Sequence, residues 1–91
     1  MKENEILVFV GEEANLPSGI FTTLEKAKEY IEKYSLSGTL TQFPLDIGIY
    51  DWAIQEDFFS VKNEYQKESK FIQRFSCASM EHFHFEDGKV I

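Results

Sequence analysis

The run Thr22-Thr23-Leu24-Glu25-Lys26-Ala27-Lys28-Glu29-Tyr30-Ile31-Glu32-Lys33-Tyr34 has the spacing of an amphipathic helix, and its neighbours on both sides have a different period. Leu24, Ala27, Tyr30, Ile31 and Tyr34 recur at three- and four-residue intervals and fall on one stripe, while Lys26, Lys28, Glu29, Glu32 and Lys33 populate the opposite face. Thr22 followed three residues later by Glu25 matches a capping box, in which hydroxyl and carboxylate satisfy each other's backbone N–H groups. Gly38 is placed to end the helix.

Outward from this helix the pattern becomes extended. Upstream, Glu5-Ile6-Leu7-Val8-Phe9-Val10 is apolar and rich in β-branched residues up to Gly11, which predicts a well-buried strand. A loop with Asn15 and Pro17 follows, and Gly19-Ile20-Phe21 predicts a brief extended return. Downstream, Thr39-Leu40-Thr41-Gln42-Phe43 alternates and predicts a second strand stopped by Pro44. Asp46 is positioned to cap a short second helix over about residues 47–55, with Tyr50, Ala53 and Ile54 on its apolar side and Trp52 either there or on the surface. Residues 60–70 are polar and predict a surface loop with at most a helical turn. Phe71–Cys77 predicts a third strand, with Phe71, Phe75 and Cys77 on its inner face, and Glu81–Phe85 a fourth, directing Phe83 and Phe85 inward. The short link Ala78-Ser79-Met80 predicts that these two form a hairpin. Glu86-Asp87-Gly88 predicts a turn into a last extended piece, Lys89-Val90-Ile91. The expectation is one α+β domain over residues 1–91 in the order β-α-β-α-β-β: a small, mostly antiparallel sheet with one main and one short helix on one face.

The 91 residues include nine Phe, four Tyr and one Trp, and 43% are hydrophobic, which is enough for a core and excludes a disordered or low-complexity chain. The single cysteine, Cys77, excludes an intrachain disulfide and with it the class of disulfide-stapled secreted domains. Sixteen acids against nine bases give a net charge of −7, which opposes approach to nucleic acid and anionic lipid and favours a basic partner. Acids cluster near the start (Glu3, Glu5, Glu12, Glu13) and near the end (Glu81, Glu86, Asp87). Between Tyr34 and Val61 there is no Lys or Arg at all. No segment has the length of a membrane span or the form of a signal peptide, so a cytoplasmic location is expected.

Two constellations carry chemistry. Tyr50, Asp51, Trp52, Glu56 and Asp57 combine aromatic rings with carboxylates in the base-free segment, the composition of a protein-binding surface. His82 and His84 are two apart on a predicted strand, share a face and can converge on one divalent transition metal such as zinc, with Glu86 next on that face. No phosphate-binding glycine loop, nucleophile elbow or Cys-x-x-Cys pair occurs, so neither an enzyme nor a cofactor is expected on the first reading.

Ser18-Gly19-Ile20-Phe21, Gly38–Asp46, Ile49-Tyr50-Asp51-Trp52-Ala53, Arg74-Phe75 and His82–Gly88 together resemble an uncharacterised family of small bacterial stand-alone domains, a domain of unknown function, from about Phe9 to Gly88. Residues 60–70 lack the proline expected of that family. The resemblance implies a bacterial protein and brings no catalytic residue with it. In type, though not in motif, a small acidic single domain is also similar to immunity proteins that neutralise nuclease toxins. The expected function is therefore a non-enzymatic module, monomeric or homodimeric, that binds a basic protein and not nucleic acid or membrane. A metal-binding domain built on His82, His84 and Glu86, catalytic or sensing, is the alternative, and a structural homodimeric subunit the third.

Overall fold

The computed structural model describes residues 5–91; Glu3, counted above with the acidic start, lies outside them. In chain order the elements are β1 (Glu5–Gly11), β2 (Pro17–Phe21), α1 (Leu24–Lys33), β3 (Gly38–Pro44), α2 (Ile49–Gln55), a 3-10 turn (Glu64–Lys67), α3 (Ser69–Ile72), β4 (His82–Glu86) and β5 (Lys89–Val90). The fold is α+β, as expected, on a five-stranded antiparallel sheet ordered β2-β1-β3-β4-β5. The chain forms two compact units. One runs through Leu45 and resumes over Met80–Ile91; the other is Asp46–Ser79.

In the first unit, alternation along the strands sends Leu7 and Phe9 of β1, Leu40 of β3 and Phe85 of β4 to one face, where they meet Ala27 and Ile31 of α1. The register explains the match: Phe9 lies opposite Leu40, and Leu40 opposite Phe83. Phe9, Leu7, Ile31 and Leu40 are fully buried, each contributing about 1.5–3 kcal/mol of transfer free energy. Phe21, Leu24, Tyr30, Leu36 and Phe83 pack around them. Tyr34, expected on the buried stripe, is 58% exposed, because the helix ends there and its ring turns outward beneath the Lys33 ammonium, 5.2 Å from the ring centre.

Both caps of α1 differ from expectation. Thr23, not Thr22, is the N-cap: its Oγ1 accepts the Lys26 N–H at 3.2 Å, and the first helical bond runs from Ala27 to the Thr23 carbonyl. The third helical position is then Lys26 instead of Glu25, so no reciprocal box forms, although Glu25 still complements the positive end of the helix dipole. At the far end Ser35 takes the left-handed conformation (φ 53°), with the Leu36 N–H donating to Ile31 O and the Ser35 N–H to Glu32 O, the Schellman arrangement. Gly38, expected to end the helix, instead begins β3. A Cβ there would run into the Val10 carbonyl and lie 2.8 Å from Gly11 Cα, so the glycine permits close approach of β3 to β1.

The largest departure concerns Phe71–Cys77. No third strand forms there: Ser69–Ile72 is helical and the following residues are irregular. The spacing of four between Phe71 and Phe75 suits one side of a strand and one side of a helical turn equally, so a short apolar run of this kind is ambiguous. β4 consequently takes no partner from that segment. It pairs with β3 instead, Thr39 opposite His84 and Thr41 opposite His82, and then turns through Asp87-Gly88 into β5. The turn and the last extended piece are as expected.

Candidate functional site

The second unit is organised by aromatic rings. Tyr50 of α2 lies 5.8 Å from Phe59, 6.3 Å from Phe71 and 5.5 Å from Phe75, centre to centre. Phe59 stacks on Phe71 at 5.8 Å and meets Phe75 edge-on at 5.0 Å, and Tyr65 packs against Phe71 from outside. Such offset and edge-to-face pairs each add about 0.5–1.5 kcal/mol beyond the area they bury. The Tyr50 hydroxyl donates to the Gln66 carbonyl at 2.7 Å, fastening α2 to the 3-10 turn. Gln66 also accepts the Lys62 N–H through Oε1, at 2.7 Å, and donates its own N–H to Asn63 Oδ1, so residues 62–66 form a tight hydrogen-bonded turn within the expected surface loop.

The start of α2 is displaced from the sequence reading. Asp46 does not cap it; its backbone is left-handed (φ 61°), a conformation Asp tolerates better than most residues. Gly48 is the N-cap, without a side-chain hydrogen bond, and Asp51 supplies the acid of the first turn. The end of α2 repeats the device seen in α1. Asp57 is left-handed (φ 63°), Phe58 N–H donates to Ala53 O at 2.8 Å and Asp57 N–H to Ile54 O at 3.1 Å.

That C-terminal turn composes the surface. It folds Phe58 back so that its ring lies 5.4 Å from Trp52, one turn up the helix. Trp52 is half-buried and Phe58 is 51% exposed; Asp51, Glu56 and Asp57 are exposed. An open cavity of about 370 Å³ adjoins, lined by Asp57, Phe58, Phe59, Ser60, Lys62 and Gln66. Of the five residues read from the sequence, Asp51, Trp52, Glu56 and Asp57 are thus on or beside one exposed patch, whereas Tyr50 has both ring and hydroxyl engaged inside the unit. Phe58 joins the patch in its place. The apolar residue immediately after a left-handed helix terminus, which commonly folds back on the last turn, is the signal that points to it.

The histidines lie in the other unit, on the sheet face opposite α1, among Val8, Val10, Thr39 and Thr41 by register. Both are exposed. Their rings are 5.2 Å apart and nearly perpendicular. His82 Nδ1 lies 2.7 Å from the Met80 carbonyl, and His84 Nδ1 lies 3.5 Å from Thr39 Oγ1. Among the described residues no group of three or more His, Cys, Asp or Glu comes together as a metal-ligand cluster, so Glu86 does not complete the set expected from its place on the strand. Cys77 is half-buried and free.

A family model described as a domain of unknown function (DUF7710) matches residues 6–91. No curated protein and no solved structure matches the chain significantly.

Proposed function

The chain belongs to the DUF7710 family, and we propose that this member is a non-enzymatic protein-binding module of the bacterial cytoplasm, engaging a basic protein partner through Asp51, Trp52, Glu56 and Asp57 together with Phe58. The observation that carries this reading is the Trp52–Phe58 pair, left accessible, with three exposed carboxylates close to it along the chain in a segment with no Lys or Arg before Lys62. A large aromatic anchor that a partner can desolvate supplies affinity, and surrounding charge of one sign supplies steering and selects a partner of the opposite sign. Neutralisation of a basic toxin is the most concrete form of such a role, because an acidic surface can mask the groups with which a basic nuclease holds phosphate.

The test is native mass spectrometry of the untagged protein purified from its own cell extract, repeated with Trp52→Ala combined with Asp51→Lys and Asp57→Lys. The expected result is a basic polypeptide bound to the wild type, released as salt rises, and absent from the triple variant while its circular dichroism is unchanged. A partner retained by the triple variant refutes the surface.

A further inference from the structure

We infer that His82 and His84 form a two-imidazole site for a divalent transition-metal ion, zinc or nickel by ligand type, on the sheet face opposite α1. The argument is independent of the protein-binding surface, which lies in the other unit.

Three features of the pair fit an ion. The first is tautomer. The Met80 carbonyl can only accept, so at 2.7 Å His82 donates from Nδ1, which in the neutral ring leaves the lone pair on Nε2. A backbone carbonyl on one ring nitrogen, with the other free, is the arrangement that orients metal-bound histidines and raises their basicity. Met80 is itself 7% exposed, and the neighbouring Glu81 carbonyl accepts the Gln42 N–H at 2.9 Å, so the orienting group is held at the end of the sheet.

The second is separation. With a metal–nitrogen bond of about 2.0–2.1 Å and a ring nitrogen about 1.2 Å from its ring centre, two imidazoles on one tetrahedral ion have centres about 5 Å apart. The rings of His82 and His84 stand at 5.2 Å. The third is support and access. β4 is paired to β3 along His82–Phe85, which fixes both Cα positions. Both rings are exposed, so an ion can enter and water can fill its remaining positions. The ligand set is two imidazoles without Glu86, which shares their face but lies four residues from His82, about 13 Å along a regular strand.

Isothermal titration of the untagged chain with zinc chloride, and separately with nickel chloride, in a non-coordinating buffer tests this. One ion per chain is expected, with a dissociation constant in the micromolar range. Affinity should fall at least tenfold in His82→Ala and in His84→Ala, vanish in the double variant and change less than twofold in Glu86→Gln, with circular dichroism unchanged throughout. In heteronuclear spectra zinc should shift the ring resonances of both histidines and leave those of Trp52 in place. Absence of binding at millimolar ion, or binding that survives the double substitution, overturns the site. A tenfold loss in Glu86→Gln overturns the two-imidazole assignment.

Discussion

The backbone N–H of Gly88 donates to the carbonyl of Leu36 at 2.8 Å, which fastens the turn between the last two strands to the segment leaving α1. The neighbouring Asp87 N–H donates to Ser37 Oγ at 2.9 Å, so two consecutive amides of one turn hold one loop. Asp87 and Gly88 both have positive φ, 50° and 86°, as a two-residue hairpin of the type favoured by right-handed strand twist requires.

Gly88 is buried, and a Cβ there would lie 3.1 Å from Ser35 Cα and 3.3 Å from Ile31 O, both parts of the helix terminus. Left-handed backbone alone disfavours alanine by about 1–2 kcal/mol. With displacement of the helix end added, Gly88→Ala should destabilise the protein by about 2–3 kcal/mol in urea denaturation. Asp87→Asn, equally tolerant of positive φ and exposed, should change stability by less than about 0.5 kcal/mol.

Gly38 and Gly48 predict opposite outcomes for the same substitution. At Gly38 the new methyl would meet the Val10 carbonyl and lie 2.9 Å from the Phe9 ring, while at Gly48 nothing lies within 4 Å. Gly38→Ala should therefore destabilise by at least about 2 kcal/mol through separation of β3 from β1, and Gly48→Ala should stay within about 0.5 kcal/mol. Equal effects at the two sites in parallel denaturation curves would contradict this packing of β3 on β1.

Both main helices end on a left-handed residue that is not glycine, Ser35 in one and Asp57 in the other. Replacing either by glycine relieves the steric penalty but frees the unfolded chain, for a net gain of about 0.5 kcal/mol, smaller at Asp57 because Asp tolerates this region. The two substitutions separate stability from function. Ser35→Gly should raise the denaturation midpoint without touching the patch, whereas Asp57→Gly should raise it and weaken partner binding by removing one carboxylate from the rim.

The parts of the fold that were legible from residue order are those governed by neighbours a few positions apart. The α1 stripe, the alternation in β1, β3 and β4 and the Asp87-Gly88 turn each follow from local sterics, and each is where its pattern put it. Locality also explains the near misses. Thr22 was the expected cap of α1, and its neighbour Thr23 serves instead, one position along.

Pairing is a different matter, because a strand's own period says which face is apolar but not whose edge it meets. Phe71–Cys77 and β4 looked like a hairpin because a three-residue link joined them. Instead, Phe71 and Phe75 found ring partners in Tyr50 and Phe59, and β4 found its partner in β3. The same holds for the candidate sites. Residue types and spacing placed Trp52 among carboxylates and put the two histidines on one face. That Tyr50 turns inward, that Phe58 turns back onto Trp52, and that the Met80 carbonyl accepts a hydrogen bond from His82 Nδ1 are consequences of packing and backbone direction. The Tyr50 hydrogen bond spans sixteen residues and exists only once the chain has closed on itself, whereas the other two contacts are local and follow the direction of the backbone, which no period along the chain encodes.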